Sequence, residues 1–255
     1  RRPSISTLDR SSAASDVNKR QPLKIPNIFR KNSMNFEQLS EGSLPMVVGT
    51  PDNFDSSHQY GMIVLMHGFG SHMGDLAGLA PLINETDYIY VCPNAPIGMN
   101  IGFGQQGYAW FPAGGQTQPD DIDNAVSQLQ QAVDFAMTKY RPDKANIYVG
   151  GFSQGGMMTM HAGLTRPDLY KGAIILSSRL TQVDLFTDRI ESTTKIPIFM
   201  SHGTEDLVIS IQDGRETKNL LEEYGYEVEY REYSMAHEIR EETISDLKDW
   251  LIKTR

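Results

Sequence analysis

Asn146-Ile147-Tyr148-Val149-Gly150-Gly151-Phe152-Ser153-Gln154-Gly155-Gly156-Met157-Met158-Thr159-Met160-His161-Ala162 is the stretch that decides the fold of this chain. It opens on a β-branched and aromatic run, the signature of a buried strand. It closes on residues that read as a helix, which Arg166-Pro167 stops. Between the two stands G-x-S-x-G. Strand, sharp turn and helix make that pattern a nucleophile elbow, in which small residues flank the serine because the turn is too tight for side chains. The hydroxyl of Ser153 is then lifted above the sheet edge, with the N-terminus of the next helix aimed at developing negative charge.

Working outward, strand and helix signals alternate from Gly61 on. Strands are expected at Met62–Met66, Tyr88–Cys92, Ala173–Leu176, Ile196–Met200 and Tyr226–Tyr233. Helices are expected at Asp75–Ile83, Asp120–Tyr140, Ile211–Tyr224 and Glu238–Ile252. Unbroken apolar strands alternating with amphipathic helices specify an α/β fold, a mostly parallel twisted sheet covered on both faces. Active sites in such sheets lie at the C-terminal ends of the strands. The short connection between Leu176 and Ile196 leaves no room for a large cap domain.

The 255 residues suit one large domain, with 39% hydrophobic residues to fill its core. No apolar run approaches the ~20 residues of a membrane span. Cys92 is the sole cysteine, which excludes an intrachain disulfide and a thiolate metal cluster and fits a reducing, cytoplasmic compartment. Residues 1–33 hold eight Lys/Arg against Asp9 and Asp16, a balance of +6, so the rest of a chain of net charge −9 carries −15. An acidic body argues against a nucleic-acid partner. The basic segment 1–33, rich in Ser, Arg, Asn and Pro, shows no apolar period and is expected to be disordered, leaving 34–255 as the folded domain. Three readings of it stand: an extension before a natural start at Met34, an organelle transit peptide, or a regulatory tail whose Arg1-Arg2-Pro3-Ser4 suits a basophilic kinase.

A reactive serine needs a base, and in α/β-hydrolases the chain order is Ser, acid, His. Of six histidines, only His202 and His237 follow the elbow far enough to return on another strand. Glu205-Asp206 lies past the strand ending at Met200, and His237 lies past the strand ending at Tyr233. His237 is therefore the expected base, with Glu205 or Asp206 as its acid. His67-Gly68-Phe69-Gly70 follows the strand Met62–Met66, where a second oxyanion donor is expected; the pair would be the backbone amides of Phe69 and Gln154. His67, His202, His161 and His58 are read as structural or non-catalytic. No H-E-x-x-H spacing is present, and the Gly-rich stretch from Gly98 to Gly107 lacks the Lys-Ser/Thr ending of a phosphate loop, so no metal and no cofactor are expected.

At these residues the chain resembles the phospholipase/carboxylesterase family of α/β-hydrolases, which includes acyl-protein thioesterases. The landmarks are Leu65-Met66-His67-Gly68, Val91-Cys92-Pro93-Asn94-Ala95-Pro96, Trp110-Phe111, Gly151 to Gly156, His202-Gly203-Thr204-Glu205-Asp206 and Ala236-His237-Glu238, in family order over roughly residues 44 to 255. The resemblance implies that Asp206 is the triad acid. Leu207 stands where the family commonly has Pro, and Ser178 and Ala236 stand where it often has Gly; these departures bear on substrate preference. The apolar loop from Ile97 to Phe111, with Ile97, Met99, Ile101, Phe103, Tyr108 and Trp110, is expected to form an acyl-pocket wall, with Phe103, Trp110 and Phe111 as its substrate-binding rings. The implied activity is that of a serine carboxylesterase acting on short- to medium-chain esters. A lysophospholipase or acyl-protein thioesterase is the nearest alternative, and a ligand-binding sensor that has kept only the fold is the alternative from another class. The partner is a small ester or thioester, and the sequence leaves a homodimer open.

Overall fold

The computed structural model describes residues 34–113, 115–190 and 194–255. The expectations for residues 1–33 lie outside the described residues. The chain enters on an antiparallel pair, β1 (Met34–Leu39) and β2 (Met46–Pro51), which the alternating pattern from Gly61 did not reach. Then come β3 (Gly61–Met66), the short helices α1 (Gly74–Ala77) and α2 (Ala80–Ile83), and β4 (Tyr88–Pro93). A separate hairpin follows, β5 (Ile97–Asn100) with β6 (Gln106–Ala109), and leads to the long helix α3 (Pro119–Tyr140). The second half runs β7 (Ile147–Phe152), α4 (Gln154–Met158), a π-helical turn (Thr159–Gly163), β8 (Gly172–Leu176) and α5 (Val183–Ile190). It ends with β9 (Ile198–Gly203), α6 (Ile211–Glu223), β10 (Val228–Tyr233) and α7 (Glu241–Thr254).

Among the described residues, eight strands form one sheet in the order β1-β2-β4-β3-β7-β8-β9-β10. From β4 to β10 every pairing is parallel, and β1 and β2 extend that sheet antiparallel at one edge. Side chains alternate across it as a period of two requires. Met62, Val64, Met66, Ile89 and Val91 face the layer of α3, α4 and α6, while Ile63, Leu65, Tyr88, Tyr90 and Cys92 face α1, α2 and α7. Burial on both faces explains why these strands read as continuous apolar runs. Cys92 is sealed in the second layer, and burial pushes its thiol up to about 12.

Several expected elements differ in detail. The helix foreseen over Asp75–Ile83 is two short pieces, because Pro81 lacks an N–H and is accommodated in the first turn of α2. The helix after the elbow widens into a π turn at Thr159, where Thr159 Oγ1 donates back to Gly155 O (3.0 Å) and Thr165 Oγ1 to His161 O (2.7 Å). The connection from β8 to β9 contains α5 and no cap domain among its described residues. Strand β9 runs to Gly203, three residues beyond Met200, and so carries His202 inside the sheet.

Candidate active site

Ser153 sits between the end of β7 and the start of α4 with φ 55° and ψ −116°. Such a backbone costs a non-glycine residue on the order of 1–3 kcal/mol and persists only where its surroundings over-determine it. Those surroundings are identifiable. The Ser153 N–H donates to Leu176 O on β8 (2.9 Å), and Ser153 O accepts from Ser178 Oγ (2.7 Å) and Gly156 N (3.0 Å). The flanking glycines are demanded by contact: a Cβ on Gly155 would lie 1.9 Å from Met66 O, and one on Gly151 2.3 Å from the carbonyl carbon of Gly155. The first turn of α4 is therefore pressed directly onto β3 and β7, which is what G-x-S-x-G encodes.

Asp206 and His237 meet at the ends of the adjacent strands β9 and β10. Gly203 pairs with Tyr233 at the last register position. Beyond it the two loops stay joined, by Thr204 N to Tyr233 O (2.8 Å) and Glu205 N to Met235 O (3.1 Å). His237 Nδ1 donates to Asp206 Oδ2 at 2.7 Å. Asp206 Oδ1 accepts from Val208 N (2.8 Å) and Ile209 N (2.9 Å), so both carboxylate oxygens are engaged. Burial would raise the Asp206 carboxyl, but hydrogen bonds from His202, His237 and the Ile209 amide outweigh it and hold it well below the usual carboxylate range. Glu205 instead accepts from Ser234 Oγ at 2.7 Å, away from the imidazole. The His237 ring lies 4.7 Å, centroid to centroid, from Phe152, the residue before Ser153.

His202 is an unforeseen member of this group. It is fully buried on β9, its Nε2 donating to Ile209 O (2.9 Å) and lying 3.4 Å from Asp206 Oδ2. The sequence placed it at a strand end with a bland role; the longer β9 puts it behind the acid. His67 is structural as expected. Its Nδ1 donates to Gly68 O (2.8 Å) and its Nε2 accepts from Ala95 N (3.0 Å), and burial pushes the ring down to about 4, which keeps it neutral. The loop it anchors leans on the elbow, since a Cβ on Gly68 would stand 3.3 Å from Ser153 Cβ. The backbone N–H groups of Phe69 and Gln154 are bound to no other acceptor among the described residues.

The aromatic wall read from the sequence needs correction. Trp110 and Phe111 are 1% and 3% exposed, packed in the core beneath the site, and the Trp110 indole donates to His67 O at 3.0 Å. Sealed side chains cannot touch a substrate without repacking. Phe103, by contrast, stands fully exposed in the β5–β6 turn at φ 51°. The hairpin itself does approach the site, through Gly70 N to Tyr108 O and Tyr108 N to Ser71 O, both 2.8 Å. The exposed apolar side chains nearer the loop are Phe69 and Ile101, with Leu207 next to Asp206. Among the described residues no three His, Cys, Asp or Glu side chains gather as a metal set.

A strained serine, a carboxylate-bound imidazole and two uncommitted amides form an arrangement able to perform acyl transfer. Comparison with known proteins gives the chain its family. The model of the phospholipase/carboxylesterase family matches residues 54–255. The chain belongs to that family. Acyl-protein thioesterase 1 of Gibberella zeae is 30% identical over 78% of this chain and 92% of its own length. The protein of the same name from Kluyveromyces lactis is 29% identical over 75% and 91%. Among solved structures, a carboxylesterase from Mesorhizobium loti superposes with a TM-score of 0.72 at 17% identity, covering 86% of this chain and 99% of that one. Acyl-protein thioesterase 2 of Zea mays gives 0.64 at 20% identity, over 81% and 97%. This family member is a serine hydrolase with the α/β-hydrolase fold. No helix among its described residues is long and apolar enough to cross a membrane.

Proposed function

We propose that this chain is a carboxylesterase that hydrolyses short- to medium-chain carboxylic esters through an acyl-enzyme on Ser153. The observation that carries the reading is the 2.7 Å bond from His237 Nδ1 to Asp206 Oδ2 beside a serine held at positive φ. That bond fixes the tautomer in which Nε2 is free to accept a proton. His237 takes the Ser153 proton as Oγ attacks the acyl carbon, and Asp206 stabilises the resulting imidazolium. The oxyanion is received by the amides of Phe69 and Gln154, the second lying at the N-terminus of α4. Collapse expels the alcohol or thiol, which takes the proton from His237. Water, deprotonated by the same imidazole, then releases the acid. Thioesters fit the same chemistry, and the names of the fungal relatives favour that second reading. The lone buried Cys92 is in keeping with a cytoplasmic setting.

Fluorophosphonate labelling, followed by 4-nitrophenyl esters from acetate to laurate and the matching thioesters, tests the proposal. Labelling and hydrolysis should both disappear in Ser153→Ala. A wild-type protein that neither labels nor turns over any of these substrates would point to a sensor that has kept only the fold.

A further inference from the structure

Strand β8 ends at Leu176, and the next four residues, Ser177-Ser178-Arg179-Leu180, pass between the segments that carry Ser153 and His237. Ser178 Oγ holds Ser153 O at 2.7 Å, and Ser177 Oγ reaches the carbonyl of Glu238, the neighbour of His237, at 3.4 Å. The segment's own backbone is pinned at both ends. Ser177 N donates to Ser201 O (2.8 Å), and Leu180 N donates to Thr217 Oγ1 (2.9 Å), which itself donates to Asp213 O. Ser177, Ser178 and Leu180 are buried. Arg179 alone is exposed.

Its surroundings make that exposure informative. Residues 34–255 carry a net −15, and six of their eight arginines meet a carboxylate at 2.6–2.9 Å: Arg166, Arg189, Arg215, Arg231, Arg240 and Arg255. Arg141 does not, but it closes the C-terminus of α3, where a cation is favoured by the helix dipole, at the end of the sheet away from the site. Arg179 has neither a carboxylate partner among the described residues nor a helix end to complement. It is rooted about 3.8 Å, one peptide, from the residue that holds the nucleophile's carbonyl. An acidic body repels anionic ligands, so a free guanidinium at the strand ends is a local inversion of that field. Its planar fork matches the oxygens of a carboxylate or a phosphate.

We propose that Arg179 is an anion subsite of the active site, so that the preferred ester or thioester carries a carboxylate or phosphate group bound by this guanidinium while Ser153 attacks. The proposal rests on the serine-hydrolase reading above. The two sources of the anion are separable: a carboxylate at the far end of the acyl chain, or a phosphate on the alcohol.

The test compares kcat/KM within two matched pairs, mono-4-nitrophenyl adipate against 4-nitrophenyl hexanoate, and a lysophosphatidic acid against the corresponding monoacylglycerol. The proteins are wild type and Arg179→Met, Arg179→Lys and Arg179→Glu, with melting temperatures measured beside them. Wild type should prefer the anionic member of at least one pair by about tenfold at low salt, a preference that shrinks as salt is raised. Arg179→Met should remove it, Arg179→Glu should invert it, and Arg179→Lys should restore part of it. The pair that responds identifies the side on which the anion lies. A purely structural role would lower both members of a pair together and leave the ratio alone. No wild-type preference, or a preference that survives in Arg179→Met, overturns the subsite while Ser153-dependent cleavage of the neutral esters upholds the hydrolase reading. Failure of wild type to cleave any of the four substrates overturns both.

Discussion

The carboxamide of Gln154 spans the Trp110–Phe111 segment, its Oε1 accepting from Trp110 N at 2.8 Å and its Nε2 donating to Phe111 O at 2.7 Å. Trp110 Nε1 in turn donates to His67 O, and His67 accepts from Ala95 N. One chain of buried bonds thus links the residue after the nucleophile, the hairpin exit and the loop bearing Phe69. The two amides proposed to bind the oxyanion are held in mutual register by it, although neither uses its side chain on the substrate.

Gln154→Ala should therefore cost both stability and rate. It leaves a buried N–H and a buried C=O unpaired, at about 1–3 kcal/mol each. Gln154→Glu keeps the acceptor for Trp110 but sets a carboxylate against Phe111 O, and should be no milder. Thermal melts and kcat on a soluble ester check this. A Gln154→Ala protein that melts and turns over as wild type does would remove the network from the mechanism.

The 2.7 Å contact with His237 is the ground for proposing Asp206 as the acid. Asp206→Asn should keep the fold and lower kcat on the order of 10⁴-fold, because the imidazole loses the carboxylate that orients it. Glu205→Gln, which loses only the bond from Ser234, should lose far less. The reverse ranking would transfer the role to Glu205. Because the Asp206 carboxyl is depressed in the folded state, its contribution to stability is full above the unfolded carboxyl value of about 3.9 and is lost as pH falls below it. Wild type minus Asp206→Asn stability should accordingly be level near neutrality and shrink below about pH 4.

Two other histidines govern a higher window. Burial pushes both His67 and His161 down to about 4, so the folded protein keeps them neutral while the unfolded chain protonates near 6.5. The stability tied to each is present above 6.5 and lost as pH falls towards 4, by at most about 3 kcal/mol per ring. His161 donates from Nε2 to Thr181 O at 2.8 Å, a bond that a glutamine amide can imitate. Denaturant unfolding of His161→Gln should show a shallower loss of stability between pH 6.5 and 4. An unchanged slope would mean that His161 protonates in the fold without cost.

Much of this was legible in the chain. The elbow, the alternation of apolar strands with helices and the pairing of His237 with a carboxylate past the preceding strand all follow from local patterns that tertiary structure leaves intact. The β1–β2 edge was not, because Phe36, half out of the sheet and pressed against Gly49, gives no clean alternation. Nor was the role of the Gln154 side chain, a contact with residues 43–44 positions away that no periodicity announces. The sequence read His202 as structural, but not its place behind Asp206, because β9 runs three residues beyond Met200 and buries it there. The aromatic run from Phe103 to Phe111 could not reveal which rings face inward, because a hairpin and its exit bury residues by register rather than by composition.

That last point yields a test of the acyl side. Trp110 is buried and donates to His67 O, so Trp110→Ala should lose about 3–5 kcal/mol and depress activity on every ester alike. Phe103 projects into solvent, and Phe103→Ala should leave the melting temperature alone. The exposed apolar side chains on and beside the Gly68–Gly70 loop are Phe69 and Ile101, whose methyl group lies 3.7 Å from where a Cβ on Gly70 would stand. Each methylene that a substrate buries against them adds about 0.8 kcal/mol until the chain outgrows the contact. With no large cap to extend that contact, kcat/KM should rise from acetate and level off at medium length. Ile101→Ala should flatten the rise without altering the melting temperature. If the profile of Ile101→Ala overlays that of wild type while Phe103→Ala shifts it, the hairpin turn folds over the acyl chain during catalysis, and the wall expected from the sequence forms only with substrate bound.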